Sequence, residues 1–114
     1  MPDCLFCKLV AGDIPARIVK RTDEAIAFHD IDPKAPVHVL VIPREHIASI
    51  NALSDAQAAT IGRLHMVARD LAKELGVAQE GYRLVINTGA NAGQSVEHIH
   101  LHLLGGRHLK WPPG

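Results

Sequence analysis

Residues 94–104 read Gln-Ser-Val-Glu-His-Ile-His-Leu-His-Leu-Leu, and this stretch carries the strongest structural signal in the chain. Polar and apolar residues alternate along it, which is the period of a half-buried β-strand. We predict a strand over residues 97–104 that ends at the glycine pair 105–106. The alternation divides six residues between two faces, histidines on one and apolar residues toward the core: His98, His100 and His102 against Ile99, Leu101 and Leu103.

The spacing of the three histidines limits what they can do together. At a rise of ~3.3 Å per residue, neighbouring histidines lie roughly 6.6 Å apart along the backbone and the outer pair roughly 13 Å. Two adjacent imidazoles can converge on one phosphate-sized group, whereas three cannot, so we expect one terminal histidine to have a separate role. Two alternatives stay open: a polar sheet face that happens to carry histidine, and a catalytic metal site built on His-x-His.

Length and composition limit the class of protein. A chain of 114 residues is expected to form one domain over residues 1–114, and an apolar fraction of 47% is too high for a disordered chain. Twelve basic residues balance twelve acidic ones, which argues against nucleic acid or an anionic membrane as the main partner. No apolar run reaches the ~20 residues of a membrane span, no export signal is visible, and two cysteines are too few for a disulfide scaffold. We therefore expect a cytoplasmic protein with reduced thiols.

The rest of the chain predicts one long helix and several short strands. The helix is expected from Ser54 to Leu75, because Ser54 and Gln57 have the spacing of a capping box, an apolar stripe follows at helical spacing, and Gly76 is a suitable terminator. Short runs between turn signals predict further strands at 16–21, 25–29, 37–42 and 82–87. The expected fold class is α+β, a mostly antiparallel sheet with the helix covering one face.

Cys4 and Cys7 form a Cys-x-x-Cys pair, and the chain has no other cysteine. Three interpretations are open: a redox motif, a chance pair of core thiols, and half of a tetrahedral zinc site. The redox motif would want a following helix in a β–α–β setting, which the sequence does not show convincingly. A zinc site needs two further ligands, for which His46 and His98 are candidates. Four protein ligands would leave no open position, so the site would be structural and would give His98 its separate role.

Two other segments have compositions suited to a phosphorylated or planar ligand. Residues 87–95 join two predicted strands, and the glycines among them allow backbone amides to form an anion-binding nest, although an ordinary hairpin loop has the same composition. No Gly-Lys-Ser/Thr follows, so this is not a Walker loop. In the turn after the second strand, Asp30 could accept from ribose hydroxyls while Phe28 and Ile31 sandwich a flat base. A turn-capping aspartate between core residues is an equally good interpretation.

These residues together resemble a known family. Residues 98–104 resemble the HφHφHφφ signature of the histidine triad superfamily, in which φ is apolar. Matching segments occur along nearly the whole chain, at 28–31, 35–38, 41–43, 81–83, 93–96, 104–107 and 111–114. The Gly-Gly-Arg after the triad and the Trp-Pro-Pro-Gly ending resemble the histidine triad nucleotide-binding protein branch, rather than the dinucleoside-polyphosphate hydrolase or galactose-1-phosphate uridylyltransferase branches.

The resemblance implies a fold, an assembly and an activity. The fold would be a mostly antiparallel five-stranded sheet with one long helix and a short N-terminal helix, and two subunits would join their sheets in a homodimer. The activity would be that of a purine nucleoside phosphoramidase, which hydrolyses nucleoside 5′-phosphoramidates such as AMP linked to an amine. The products would be the nucleoside monophosphate and the amine, formed through a nucleotidyl-histidine intermediate.

The resemblance also implies a role for individual residues. His100 would be the nucleophile, His102 would contact the phosphoryl oxygens, and His38 would support their hydrogen bonding. Ser95 or a neighbouring histidine would relay a proton to the leaving amine. The tail near Trp111 would reach the partner's site. The other nucleotide-binding positions form a phosphate loop and a pocket for ribose and base: Asn87, Gly93, Gln94 and Ser95, and Asp30 with Ile14, Phe28, His29 and Ile31.

The set Cys4, Cys7, His46 and His98 resembles that of family members that begin with Cys-x-x-Cys. The resemblance therefore implies a structural Zn²⁺, whereas catalysis by a histidine nucleophile needs no cofactor. Two other functions stay open: a zinc-dependent hydrolase, and a dimer that binds or senses purine nucleotides with little catalysis.

Overall fold

The computed structural model describes residues 3–114, which fold into one antiparallel sheet flanked by helices. The helices and strands in chain order are α1 (Leu5–Ala11), β1 (Ile18–Arg21), β2 (Ala25–His29), β3 (Val37–Pro43), α2 (Ala58–Glu74), β4 (Tyr82–Ile86) and β5 (Leu101–Gly105). Short 3-10 turns lie at Ile50–Ala52, Asp55–Gln57 and Ala90–Ala92. The predicted class is confirmed: a five-stranded antiparallel sheet with one long helix and a short N-terminal one.

The strand order in the sheet is β1-β2-β3-β5-β4, so the last strand of the chain lies between β3 and β4. Within the β3–β5 pair, Leu40 lies opposite His102 and His38 lies opposite Leu104. The segment 94–104 therefore enters the middle of the sheet. This register places the side chains of His38 and His102 on one face, two residue pairs apart along the ladder.

The sheet has a buried core on each face, because β3 is apolar at both its odd and its even positions. The face toward α2 carries Val39 and Val41 with Leu64, Ala68, Leu71, Leu101 and Leu103. The face toward α1 carries Leu40 and Ile42 with Phe6, Leu9, Ile26 and Phe28. His38 lies two residues before Leu40 in β3, and His102 is the residue opposite Leu40 in β5. Both histidines therefore lie on the same face as Leu40, which is the α1 face.

The strand predicted over 97–104 is too long, since β5 begins at Leu101. His98 and His100 precede the strand. In the register of β3, Ile99 would pair with Pro43, which has no N–H to donate, so the ladder ends before it. The Ile99 N–H donates to the Ile47 carbonyl at 2.8 Å instead. The alternation nevertheless persists beyond the strand, because Ile99 is buried in the same core cluster as Leu101.

The long helix agrees with its sequence signals in all but its first turn. The capping box of Ser54 and Gln57 is present, but the residues it caps form a 3-10 turn before α2 begins at Ala58. Gly76 follows the helix with a φ of 77°, the left-handed conformation that glycine adopts most easily. The short strand predicted over 16–21 begins two residues later, at Ile18. None of the helices among residues 3–114 combines the length and apolar character needed to cross a bilayer.

Candidate active site and the cysteine–histidine cluster

Three imidazoles meet on the α1 face of the sheet. The ring centroids of His100 and His102 lie 5.1 Å apart, and those of His38 and His102 lie 5.2 Å apart. The structure thus brings two adjacent histidines of the triad together, as their spacing predicted. His98 instead turns toward the two cysteines of the N-terminal segment.

The hydrogen bonds of His38 and His102 fix which ring nitrogen of each neutral imidazole carries the proton. The backbone N–H of Lys34 donates to His38 Nδ1 at 3.0 Å, so the proton of His38 is on Nε2. His38 Nε2 then donates to His102 Nδ1 at 2.9 Å, which puts the proton of His102 on its own Nε2. That Nε2–H is buried without a hydrogen-bond partner. An unsatisfied buried donor costs about 1–3 kcal/mol, so this N–H is a strong candidate to donate to a bound ligand.

His100 has the opposite tautomer. Its Nδ1 lies 2.8 Å from the carbonyl oxygen of His98, an acceptor only, so Nδ1 carries the proton. The lone pair of the ring is therefore on Nε2. The two neighbouring rings therefore differ at Nε2: His100 offers a lone pair there, and His102 offers an N–H.

The surroundings keep the rings of His38 and His102 uncharged near neutral pH. Burial, reinforced by the neighbouring His100 and His38 rings, lowers the pKa of His102 to about 4. Burial also lowers the pKa of His38, although the Asp30 carboxylate 3.4 Å from its Nε2 opposes this effect. The positive charge that a phosphate would otherwise meet is absent from these two rings, and they act as hydrogen-bonding dipoles.

An apolar cleft of about 550 Å³ lies between α1 and the end of β2. Its lining includes Phe6, which packs on His100, and Leu40, which pairs with His102, but not the rings of His38, His100 and His102 themselves. Its lining includes six residues that were predicted to bind nucleotide: Ile14, Phe28, His29, Asp30, Ile31 and Ser95. Ile31 is fully exposed at the rim while Phe28 is buried, so the two are not equivalent faces of one sandwich. Asp30 uses Oδ1 to accept from the Asp32 N–H at 2.8 Å, a turn-capping bond.

Phe6 lines the cleft as well, although no sequence signal singled it out. It lies between the two cysteines and packs edge-on against the His100 ring, with centroids 5.2 Å apart. The missed signal is helical geometry. In α1, the side chain of residue 6 points away from the side chains of Cys4 and Cys7. Phe6 can therefore face His100 and the cleft while the two cysteines face the metal cluster.

The loop at residues 87–95 approaches the cleft only through Ser95. The side chain of Gln94 is occupied within the loop region: its Nε2 donates to the Ala48 and Val96 carbonyls, and its Oε1 accepts from the Gly89 N–H. Gln94 therefore holds the loop in place. Asn87 and Gly93 do not line the described cleft. Their role, and that of Gln94, at a phosphate stays a prediction.

Cys4, Cys7, His46 and His98 converge into a four-residue cluster whose donor atoms all lie within 4.8 Å of one another. The Sγ to Nδ1 distances are 3.4 Å for Cys4 to His98, 3.6 Å for Cys7 to His98 and 3.3 Å for Cys7 to His46. A tetrahedral zinc ion with Zn–S near 2.3 Å and Zn–N near 2.0 Å requires S to N separations of about 3.5 Å. The donor set and its spacing therefore fit zinc.

The second ring nitrogen of His98 supports the same conclusion. His98 is fully buried, and its Nε2 donates to the Pro43 carbonyl at 2.9 Å, so the lone pair on Nδ1 faces the sulfurs. A carbonyl that holds the opposite nitrogen is the usual support for a metal-bound histidine. Burial and the neighbouring Cys4 thiol raise the pKa of Cys7, which keeps it protonated unless a cation offsets the charge. The helix α1 does follow Cys4, but it does not lie between two parallel strands as in a redox motif.

An antiparallel sheet that presents alternating histidines beside an apolar cleft defines a histidine-triad protein. The model of the HIT domain family matches residues 11–109, and the chain belongs to this family. It is 44% identical over 107 residues to the purine nucleoside phosphoramidase of Escherichia coli strain K12, covering 94% of this chain and 90% of that protein.

Two other relatives extend the similarity. An uncharacterised HIT-like protein of Synechocystis is 46% identical over 112 residues, which covers 98% of this chain and 97% of that protein. The crystal structure of a HIT family hydrolase from Legionella pneumophila Philadelphia 1 has a TM-score of 0.96 at 48% identity, covering 98% of this chain and 100% of the other. The similarity supports a hydrolase in general terms.

Proposed function

We propose that this protein hydrolyses purine nucleoside 5′-phosphoramidates, such as AMP linked to an amine, to the nucleoside monophosphate and the free amine. The observation that carries the proposal is the tautomer of His100, whose Nδ1–H donates to the His98 carbonyl at 2.8 Å and leaves the lone pair on Nε2. An imidazole lone pair is a competent nucleophile for covalent catalysis. The 44% identity to the E. coli phosphoramidase supports the class of substrate.

The proposed reaction has two displacements at the same phosphorus. First, His100 Nε2 attacks, the P–N bond breaks, and a nucleotidyl-histidine forms while the leaving nitrogen takes up a proton. The Ser95 hydroxyl would relay that proton, because the neutral His102 ring could give up its Nε2–H only by becoming an imidazolate. Water then attacks phosphorus, the bond to Nε2 breaks, and the proton of the water returns to the group that gave one. Each bond and proton is balanced, and no metal takes part.

His102 would also stabilise the charge on the transferring phosphoryl group. Its Nε2–H is buried without a partner, so a phosphoryl oxygen there would satisfy it. The pKa of about 4 means that the ring donates this bond as a neutral group over the whole physiological range. A preorganised donor of this kind acts most strongly on the transition state, in which negative charge spreads over the equatorial oxygens.

The cleft would hold the nucleoside. Asp30 has one carboxylate oxygen, Oδ2, that accepts no backbone N–H and could accept from a ribose hydroxyl. Phe28 offers a buried aromatic edge, and Ile31 covers the rim. Arg17 and Asp30 are the charged residues of the cleft lining, and neither selects adenine over guanine by charge, because both bases are neutral.

The direct test of the proposal is capture of the covalent intermediate. Protein mixed with adenosine 5′-phosphoramidate and quenched in base, because the P–N bond to imidazole is labile in acid, should show a nucleotide adduct by peptide mass spectrometry, located on His100. His100→Ala should give neither adduct nor turnover while it still binds AMP. His65→Ala is the matched control, since His65 lies on α2 and donates to Ile61 on the other side of the sheet. Turnover without an adduct, or an adduct on another residue, would contradict the proposal.

One observation favours a second candidate, a zinc-dependent hydrolase. Asp30, His38 and His102 bring one donor atom each within 4.8 Å, and a catalytic zinc has three protein ligands plus an open position. The donor atoms of His38 and His102 already share a hydrogen bond at 2.9 Å, however, so a cation would have to displace its proton. Chelation of every metal should leave measurable phosphoramidase activity; complete loss of activity with the fold intact would favour this candidate.

We also propose a homodimer and a structural zinc ion for this chain. The outer edge of β4 has no neighbouring strand among the described residues, so a second sheet could extend from it. Light scattering should give twice the mass of one chain. Metal analysis should give one zinc per chain, lost in Cys4→Ser.

A further inference from the structure

His98 belongs to the candidate metal cluster and to the candidate active site at once. Its side chain places Nδ1 within 3.4 Å of Cys4 Sγ and 3.6 Å of Cys7 Sγ. Its carbonyl oxygen accepts the Nδ1–H of His100 at 2.8 Å, and this bond sets the tautomer and the plane of the nucleophile. A movement of the His98 peptide therefore rotates or releases the reacting ring.

The sheet does not hold this peptide. β5 begins only at Leu101, and the residue pairs between β3 and β5 extend no further than Val41 and Leu101. Upstream of that pair, the segment is attached by the Ile99 N–H on the Ile47 carbonyl, by His98 Nε2 on the Pro43 carbonyl, and by the contacts of His98 with the two cysteines. The cysteine cluster thus takes the place of ladder hydrogen bonds at this end of the strand.

Helix α1 makes a second connection between the cluster and the nucleophile. Cys4 caps the helix by accepting from the Cys7 N–H at 3.3 Å, and Phe6 lies between them. The Phe6 ring packs edge-on against His98 at 6.0 Å and against His100 at 5.2 Å between centroids. Because Phe6 also lines the cleft, the seating of α1 affects both the nucleophile and the wall of the binding pocket.

We propose that His98 is a positioning residue, and that a cation held by Cys4, Cys7, His46 and His98 sets the orientation of the nucleophilic ring of His100. Metal binding fixes the His98 side chain from the side opposite Pro43 and so immobilises the peptide whose carbonyl holds His100. Loss of the metal leaves the catalytic residues present but the nucleophile poorly aligned. The predicted effect on catalysis rests on the proposed function, in which His100 is the nucleophile. The coupling between the metal cluster and the His98 peptide does not, since it can be measured without turnover.

The first measurement needs no substrate. Hydrogen–deuterium exchange of the zinc-loaded protein and of the same protein after chelation should show the Ile99 amide exchanging about tenfold faster without metal. Amides of β5 between Leu101 and Leu103 should change little, because the ladder holds them. The ring Nδ1–H of His100 should give a protected signal in a ¹⁵N-correlated spectrum of the loaded protein and lose it on chelation.

The second measurement separates alignment from binding. Chelation, or Cys7→Ser, should lower kcat for the phosphoramidate about tenfold, the usual effect of losing a support behind a functional residue, while the affinity for AMP falls less than kcat, since Phe6 forms only one part of the cleft wall. Zinc added back to the chelated wild type should restore both kcat and exchange protection.

The outcomes distinguish the two proposals. Unchanged exchange at Ile99 and unchanged kcat after complete chelation would overturn the positioning role, and so would a chain that takes up no zinc. A metal-dependent Ile99 amide in a protein that never turns over the phosphoramidate would support the coupling and refute the proposed function. If Cys7→Ser fails to fold, chelation and reloading of the wild type provide the same comparison.

Discussion

Lowering the pH from 7 to 4 is expected to destabilise the fold through His102. Burial, followed by the effect of the His100 and His38 rings, lowers the pKa of His102 from 6.5 to about 4. Between these values the unfolded chain binds a proton that the folded chain does not, so the stabilisation is complete above pH 6.5 and is lost as the pH falls toward 4. A difference of about 2.5 pH units gives about 3.4 kcal/mol as an upper value. Because the ring is only partly shielded from water, screening reduces this to about 2 kcal/mol.

Urea unfolding of the wild type and of His102→Gln at several pH values between 7 and 4 measures this contribution. Glutamine does not titrate, so the free energy of unfolding of the variant should fall by about 2 kcal/mol less than that of the wild type over this range. His38 and His98, whose pKa values burial also lowers, are present in both proteins, so the difference reports His102 together with its hydrogen bond to His38. Parallel curves, or an NMR titration of the ring with a midpoint near 6.5, would refute the reasoning.

Three further predictions concern single contacts. Lys34→Pro removes the N–H that fixes the tautomer of His38 and should lower kcat about tenfold in the phosphoramidate assay. Asp30→Asn should raise the Kd for AMP about tenfold in calorimetry, since a charge-assisted bond to ribose is lost. Gly105→Ala places a Cβ 2.9 Å from Val77 Cβ and should lower the free energy of unfolding by about 1–3 kcal/mol in urea.

Each of these substitutions has a control that isolates its cause. Lys34→Ala keeps the backbone N–H and should retain activity; equal losses in both variants would mean that the side chain matters instead. Asp32→Asn changes an exposed carboxylate outside the cleft lining and should leave the Kd unchanged. Val77→Gly removes the Cβ that the new methyl group meets, so it should cost less stability in the Gly105→Ala background than in the wild type; equal costs would show that the steric argument is wrong.

The sequence predicted the site best in the histidine segment, where the alternation of residue types and the spacing of the histidines could be used together. Alternation over residues 97–104 correctly separated His100 and His102 from the core residues, and the spacing correctly required a different environment for His98. It overestimated the strand, because the end of the ladder depends on Pro43 in a neighbouring strand. The alternation within residues 97–104 contains no information about Pro43, whose missing N–H ends the ladder from the neighbouring strand.

The features that no pattern indicated all depend on backbone geometry. The N–H of Lys34 on His38 and the carbonyl of His98 on His100 decide both tautomers, yet any residue type has these groups. Phe6 was missed for a related reason, since its contact with His100 depends on how α1 seats against the sheet. Sequence reasoning therefore predicts which side chains form the site but not the proton positions that give each one its chemistry.

These proton positions explain why adjacent histidines of one type can do different chemistry. Lys34 and His38 each donate toward the next Nδ1, so the chain of bonds ends in an N–H on His102 Nε2. His100 faces an acceptor at its Nδ1, so its Nε2 ends in a lone pair. Whether the group facing Nδ1 is a donor or an acceptor therefore decides whether Nε2 of the same ring acts as a donor or as a nucleophile. The nucleophile and the donor can therefore stand 5.1 Å apart between ring centroids, because the neutral His102 ring carries no positive charge that would repel His100.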